Sequence, residues 1–245
     1  PERVIIEYNG MWLVSNFEKM QLPTGWGVEQ QITCVDGSTF QMYMANMKSI
    51  FMDMIKNTDM VIFNRCKKED PLPTYRRGIK VANQRAEVIF EDEEGELGDI
   101  FQDEMPFDMN APVIEILPED YGIWFVDAMD HPENYEGKTV KFKARVMKPR
   151  GMGSKFFVPG RTAMTCCADD TTFLGYVCKS AYAPKLTPGE WVEVTAKVGI
   201  EKRNEYQGEE GIVLAAEHVE QCDPLEDEMV RSEEHTSELQ SRVEI

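Results

Sequence analysis

Adjacent cysteines in the segment MTCCADD, in a chain with only six cysteines, have the clearest capacity for chemistry. They are Cys166 and Cys167, and Cys178 follows within reach of a strand and a turn. Thiolates joined by an imidazole or a carboxylate are typical zinc ligands. One interpretation is therefore a zinc site at these three cysteines. Its further candidate ligands are Asp169, Asp170 and His218.

The alternative interpretation places the same cysteines in the apolar wall of a β-domain. Neighbouring residues on a regular strand point to opposite faces, so Cys166 and Cys167 hold one ion together only where a bulge reorients them. Reduced cysteine is common in protein cores, and the chain contains no C-x-x-C pair. A disulfide between adjacent cysteines needs unusual geometry and an oxidising compartment. Zinc binding and core packing both stay open at this point.

A second group of polar residues follows short apolar runs in the first 105 residues. Glu7 and Gly10 come after the run VII, Asp36 ends the run ITCVD, and Asn64 follows MVIF. The carboxyl ends of parallel strands meet at one edge of an α/β sheet, where ligands bind. We therefore expect these four residues to lie at a binding edge.

The elements that position this edge are those of an α/β unit with a parallel sheet. Consecutive apolar residues indicate buried strands, and apolar residues at helical spacing indicate amphipathic helices. The predicted strands are 3–8, 31–37, 60–63 and 87–91, and the predicted helices are 38–57 and 75–83.

Beyond residue 112 the pattern changes to a period of two, which is typical of strands with one face in a core. In VKFKARV the residues Val140, Phe142, Ala144 and Val146 fall on one face, and WVEVTAKV repeats the pattern. About five or six strands with a short helix at 123–134 fit a small OB-like β-barrel. The predicted fold class is thus α/β followed by mainly β.

These patterns divide the chain into an α/β domain at 1–105, a linker at 106–111, a barrel at 112–222 and a disordered tail at 223–245. Pro1 stands where a full-length chain has methionine, and we expect the chain to be a fragment whose N-terminus lies upstream. Within the tail, RSEEHTSELQS at 231–241 resembles the translation of a sequencing adapter, which excludes it from function.

The charge balance argues against several classes of partner. The chain carries 44 acidic and 26 basic residues, a formal net charge of -18. This charge repels phosphate backbones and anionic lipid heads, so we expect no nucleic acid partner. Apolar runs are too short to span a bilayer, and the first residues lack the pattern of a signal peptide. We expect a cytoplasmic chain without direct membrane insertion, and the oligomeric state stays open.

Four segments of the first domain, EYNG, VDG, NRCK and ANQRAEVIFED, together resemble the second half of CobW-like P-loop GTPases. The resemblance implies that Glu7 and Gly10 belong to the Walker B and switch region, with Glu7 near magnesium. It also implies that Asp36 ends the next strand and that Asn64 contacts the guanine base. The implied cofactors are GTP and Mg²⁺, and the family is linked to metal delivery.

Two departures from that family bear on activity. Arg65 replaces a lysine, and Lys67 stands where the family has an aspartate that accepts hydrogen bonds from guanine, although a lysine only donates them. The sequence also lacks a G-x-x-x-x-G-K-[ST] phosphate loop and a C-x-C-C motif, both of which the family places upstream. We therefore expect the chain alone not to hydrolyse GTP.

The second domain resembles the soluble domain of a bacterial permease subunit family. The segments that carry the resemblance are YEGKTVKFKARV, FFVPGRTAMTCCADDTTFLGYVCK and EWVEVTAKV. A permease or a metal-receiving protein is the implied partner. Together the two resemblances predict a GTP-binding protein that couples GTP binding and hydrolysis to metal handling or to a permease. The competing expectation is a non-enzymatic scaffold, with a degenerate GTPase half and a barrel that binds a partner or a metal.

Overall fold

The computed structural model describes residues 2–98, 105–165 and 171–231. The chain forms two compact units, Pro1–Gln102 and Asp103–Ile245. Each unit has its own sheet and its own buried apolar core.

The first unit contains a three-stranded parallel sheet with the order β1-β2-β3. Residues at matching positions on β1 and β2 pair from Ile32 with Met60 to Asp36 with Asn64. The predicted parallel sheet with helices is therefore confirmed. The elements of this unit are α1 (Val14–Glu18), β1 (Ile32–Asp36), α2 (Phe40–Ile55), β2 (Met60–Asn64), α3 (Leu72–Ala82) and β3 (Glu87–Phe90).

Aromatic side chains join one face of this sheet to its helices. The Phe40 ring at the start of α2 lies 4.9 Å from the Phe63 ring on β2 and 4.6 Å from the Tyr75 ring on α3. Phe63 also stacks on Phe90 of β3 at 4.9 Å. Such ring pairs stabilise a core beyond the area they bury. They hold α2 and α3 against the strands whose ends form the candidate site.

The predicted strand at 3–8 is wrong. These residues adopt no regular structure, and Val4, Ile5 and Ile6 are 48%, 92% and 57% exposed. A strand requires a hydrogen-bonding neighbour, and among the described residues β1 pairs with β2 alone. The consecutive apolar residues imitate a buried strand, but no described strand lies beside them.

The second unit contains a closed five-stranded barrel made by β5, β6, β8, β10 and β9. Antiparallel pairs link β6 to β5 and β8, and β9 to β5 and β10. A parallel pair between β8 and β10 closes the barrel. This arrangement confirms the predicted small barrel and fits an OB-like fold. The elements are β4 (Ile114–Glu115), α4 (Tyr121–Asp130), β5 (Thr139–Met147), β6 (Phe156–Met164), β7 (Thr171–Gly175), β8 (Val177–Lys179), β9 (Trp191–Lys202), β10 (Glu210–Gln221) and β11 (Met229–Arg231).

The period of two places the expected side chains inside the barrel. Val140, Phe142, Ala144 and Val146 of β5 are all buried, while Arg145 between them is exposed. The inward residues of β9 alternate in the same way. The side-chain direction that the sequence predicts for these two strands is therefore confirmed.

Helix α4 packs against the barrel through aromatic rings. It begins two residues before the predicted start, and its Trp124 ring lies 4.8 Å from Phe142 and 5.6 Å from Tyr176. The Tyr176 hydroxyl donates to the Phe125 carbonyl. Because Phe142 belongs to the barrel interior, these contacts join the helix to the core.

Strand β11 lies within the stretch predicted to be a disordered tail. It pairs in parallel with β6 at Thr162–Met164. The buried Arg161 donates hydrogen bonds to the carbonyls of Pro118, Asp227 (2.9 Å) and Met229 (3.5 Å). Short segments with little periodicity become ordered by such tertiary hydrogen bonds, so the barrel unit extends into the predicted tail.

We expect Gly160→Ala to lower the free energy of unfolding by about 1–3 kcal/mol, because overpacking a well-packed site has this typical cost. A Cβ atom on Gly160 would press into the Leu174 carbonyl oxygen and lie 2.5 Å from the Phe173 ring. Gly199→Ala is the matched control, since its Cβ would lie 3.7 Å from the Val213 carbonyl oxygen. Urea denaturation measures both variants, and equal midpoints would contradict the packing described for β6.

Candidate functional site

The candidate site lies at the carboxyl ends of β1 and β2. We call Asp36, Asn64, Arg65, Cys66 and Asp70 the strand-end cluster. Asp36 and Asn64 are the last residues of neighbouring parallel strands and are paired in the ladder. Two of the four predicted edge residues are thus brought together by the sheet itself.

The Asp36 carboxylate is engaged by neighbours on both sides. It accepts hydrogen bonds from the Ser38 hydroxyl at 2.6 Å and the Ser38 amide at 3.1 Å, and it forms an ion pair with Arg65 at 2.5 Å. The Ser38 hydroxyl, with further help from Arg65, lowers the pKa of Asp36. Asp36 therefore stays ionised at neutral pH and fixes the turn at Gly37–Thr39.

In the strand-end cluster, Asn64 has a buried side-chain oxygen that no described residue satisfies. Its side-chain Oδ1 is buried and has no hydrogen-bond partner within the described part of the chain. A buried acceptor without a donor costs about 1–3 kcal/mol. The next residue, Arg65, has a φ of 54°, which is uncommon for a residue other than glycine and recurs at functional sites. Asn64 is thus poised to accept a hydrogen bond from a ligand or a partner.

Cys66 packs the loop rather than serving as a nucleophile. Its Sγ lies 3.6 Å from the Phe63 carbonyl oxygen, and a Cβ on Gly37 would lie 2.7 Å from that sulfur. Burial, assisted by the negative charge of Asp70, raises the pKa of Cys66 to about 11. A thiol with this pKa is almost entirely protonated at neutral pH.

Asp70 closes the loop that follows β2. Its carboxylate accepts a 2.7 Å hydrogen bond from the backbone amide of Lys67, the residue at the position of the GTPase aspartate. The loop between Asn64 and Asp70 is therefore held by its own side chain, in a form that does not copy the N-K-x-D pattern.

Glu7 and Gly10 lie outside the regular strands of the first unit. Glu7 is exposed in the segment without regular structure, and no side-chain contact links it to the strand-end cluster among the residues described. The Gly10 carbonyl accepts a 3.2 Å hydrogen bond from the Tyr43 hydroxyl of α2. Neither residue follows a strand, because residues 3–8 form no regular structure.

The predicted cysteine set falls only partly on described residues. Cys166 and Cys167 lie outside them. Cys178 on β8 is fully buried, and this burial raises its pKa to about 12. In the sheet, Cys178 pairs with Phe157 near the start of β6. His218 is exposed beside Glu220. Residues 2–98, 105–165 and 171–231 contain no group of three potential metal ligands, and the set of three cysteines stays a prediction.

Sequence reasoning missed the role of Ser38 and the ion pair of Arg65 in the strand-end cluster. The Asp-x-Ser spacing after a strand is a recognisable signal, because an aspartate often accepts the amide two residues on. The ion pair between Arg65 and Asp36 has no such signal, since it depends on the register of two strands that are distant in sequence.

Part of the chain matches a known protein family. Residues 96–230, which are 135 of the 245 residues, match the family model described as the DUF1980 C-terminal domain. The match falls mainly on the second unit, which begins at Asp103. No curated protein matches the chain.

Among solved structures, similar chains include a mitochondrial single-stranded DNA-binding protein from S. cerevisiae. The identity is 10% over 36% of this chain and 97% of that chain, with a TM-score of 0.22. An aspartyl-tRNA synthetase from Entamoeba histolytica shares 17% identity over 42% of this chain and 22% of its own length, with a TM-score of 0.26. Neither likeness bears on function.

The burial of the cysteines predicts their order of alkylation. With iodoacetamide at pH 8, we expect the exposed Cys34 to react before the buried Cys66 and Cys178. Cys66 should react at least about 100-fold more slowly in the native chain than in guanidinium, because burial raises its pKa from 9.0 to about 11 and lowers the thiolate fraction by about that factor. Peptide mass spectrometry measures each rate, with the chain in guanidinium as control. Equal native rates for Cys34 and Cys66 would contradict the described burial.

Proposed function

We propose that this chain, which belongs to the DUF1980 C-terminal domain family over residues 96–230, combines a CobW-like nucleotide-binding unit with a partner-binding barrel. In this proposal the first unit binds a guanine nucleotide. The second unit couples GTP binding and hydrolysis to metal handling or to an associated permease. The chain itself lacks the phosphate loop and is inactive alone.

One observation carries the nucleotide proposal. The buried Oδ1 of Asn64 has no partner in the described residues and sits at the carboxyl edge of a parallel sheet. This edge is where open α/β sheets bind nucleotides, and Asn64 is the residue that the GTPase resemblance assigns to the base. Asp36 and Arg65 add a fixed pair of charges beside it.

The residues present fit a base better than they fit a metal ion. Asn64 offers an amide to a ring edge, whereas Glu7 is exposed and belongs to no group of potential metal ligands in the described residues. Mg²⁺ in nucleotide sites is commonly held by one or two carboxylates together with the phosphates. Bound Mg²⁺ would neutralise phosphate charge, and in this proposal Glu7 assists it without forming a site alone.

The partner proposal concerns the barrel. Within the described ranges, no helix is long and apolar enough to cross a membrane. We propose that this chain serves a permease from the cytoplasm and that nucleic acid is not a partner. A metal-receiving protein is the other proposed partner, with zinc held by Cys166, Cys167 and Cys178.

A second function is favoured by the way the strand-end cluster satisfies itself. Asp36 is already bound to Ser38 and Arg65, and Asp70 is already bound to the Lys67 amide. A site whose carboxylates are occupied has less to offer a guanine ring. The alternative is a non-enzymatic scaffold whose first unit supports a barrel that binds a partner or a metal.

Calorimetry with GTP and Mg²⁺ separates the two functions. The sample is the chain extended by the coding sequence before Pro1, which the proposal requires to encode a phosphate loop. We expect Asn64→Ala to weaken GTP binding about tenfold, the loss of one hydrogen bond to a ligand. Asn46→Ala on the exposed side of α2 is the matched control. If the upstream sequence encodes no phosphate loop, or if GTP does not bind in a Mg²⁺-dependent way, the nucleotide proposal is wrong and the non-enzymatic scaffold is the remaining function.

Zinc content tests the metal proposal directly. After purification with zinc present, we expect the Cys166→Ser/Cys178→Ser variant to lose the metal that the unaltered chain retains. Cys34→Ser/Cys222→Ser is the control, because it removes two thiols that lie outside the proposed set. Equal zinc in the unaltered chain and the first variant, measured by atomic emission, would exclude these cysteines as ligands.

A further inference from the structure

A groove crosses one end of the barrel, between the loop that joins β5 to β6 and the turn that joins β9 to β10. We call it the loop groove, and its walls are residues 149–152 and 202–205. Its volume is about 530 Å³. Small-molecule sites typically occupy about 300–1,000 Å³, so the loop groove is large enough for a small ligand.

Two unpaired cations line the loop groove from opposite walls. Arg150 and Lys202 are both exposed, and neither side chain forms an ion pair or a hydrogen bond with any described residue. This is notable in a chain with a net charge of -18, where acidic neighbours are plentiful. Two free cations that face one concave space favour an anion there.

A third cation, Arg203, gives the groove a fixed wall. Its guanidinium lies 4.4 Å from the centre of the Phe156 ring. It also donates two hydrogen bonds to Glu205, at 3.2 and 3.0 Å. The charge of Arg203 is thus largely offset, and its role is to hold the turn against the start of β6. Arg150 and Lys202 are left to meet a ligand.

The same contact argues against a nucleic acid strand. Binding of single strands uses open aromatic faces on which bases stack. The eight residues that line the loop groove include no aromatic residue, and the nearby Phe156 ring carries the Arg203 guanidinium on one face. The groove therefore offers charge without a stacking surface.

We propose that the loop groove binds a compact phosphate-bearing anion through Arg150 and Lys202. Arg150 supplies a planar set of donors that matches two phosphate oxygens, and Lys202 supplies a mobile point charge on the other wall. The site belongs to the barrel and is independent of the nucleotide proposed for the first unit.

Titration with inorganic pyrophosphate, followed by amide NMR of the 245-residue chain, tests this site at the level of residues. We expect saturable shifts at Gly151, Met152, Asn204 and Glu205. Arg150→Ala/Lys202→Ala should weaken the affinity at least about tenfold, since each charge-assisted hydrogen bond contributes more than a neutral one. The matched control, Lys185→Ala/Lys197→Ala, removes the same charge from exposed positions outside the groove and should bind as the unaltered chain does.

Three results would overturn the proposal. The first is the absence of saturable shifts at the groove up to about 10 mM pyrophosphate, a concentration at which weak ligands also bind. The second is equal pyrophosphate affinity of the two double variants. The third is tighter binding of an oligothymidine than of pyrophosphate at the same amides. The spectrum of each variant reports its folding. If the alanine variant unfolds, Arg150→Gln/Lys202→Gln takes its place, because it removes both charges and keeps more of each side chain than alanine does.

Discussion

The common direction of β1, β2 and β3 is the constraint on which the candidate site depends. Because the three strands run in parallel, their last residues lie at one edge of the sheet. The backbone pairing of β1 with β2 therefore places Asp36 beside Asn64, and no contact between the two side chains is needed. The rings of Phe40, Phe63 and Phe90 hold this arrangement from one face. The polar edge is therefore a consequence of an apolar core. Its chemistry follows from what the strands leave unsatisfied, which is the Oδ1 of Asn64.

The barrel of the second unit depends on a different constraint, the parallel pair of β8 with β10 that closes it. Closure removes free strand edges from most of the barrel. It also sets the ends of β5, β6, β9 and β10, so that two connecting segments face each other across the loop groove. The buried Arg161 fixes the remaining open part of β6 by binding the carbonyls around β11.

Much of this fold could be predicted because local patterns match local structure. The alternation of Val140, Phe142, Ala144 and Val146 indicates both a strand and its buried face, and the run MVIF indicates a strand covered by helices. Residues 3–8 are an exception. Their apolar side chains have the composition of a buried strand, but burial requires a neighbour that the described residues do not supply.

The candidate site was predictable in position but not in detail. Asp36 and Asn64 could be placed at strand ends, since a strand's end is visible in its own sequence. The ion pair of Asp36 with Arg65, the closure of the loop by Asp70 and the contribution of β11 all arise between segments whose register the sequence does not specify. Pairings of this kind are set by tertiary packing.

The side-chain amide resonance of Asn64 reports whether this residue lies at a ligand-binding edge. The measurement is NMR of the upstream-extended chain with labelled asparagine, as Mg²⁺ and GDP are added. We expect a saturable shift of the Asn64 amide, whereas the amides of Asn46 and Asn83 stay unchanged. A nucleotide that saturates the protein and leaves the Asn64 resonance in place would contradict it.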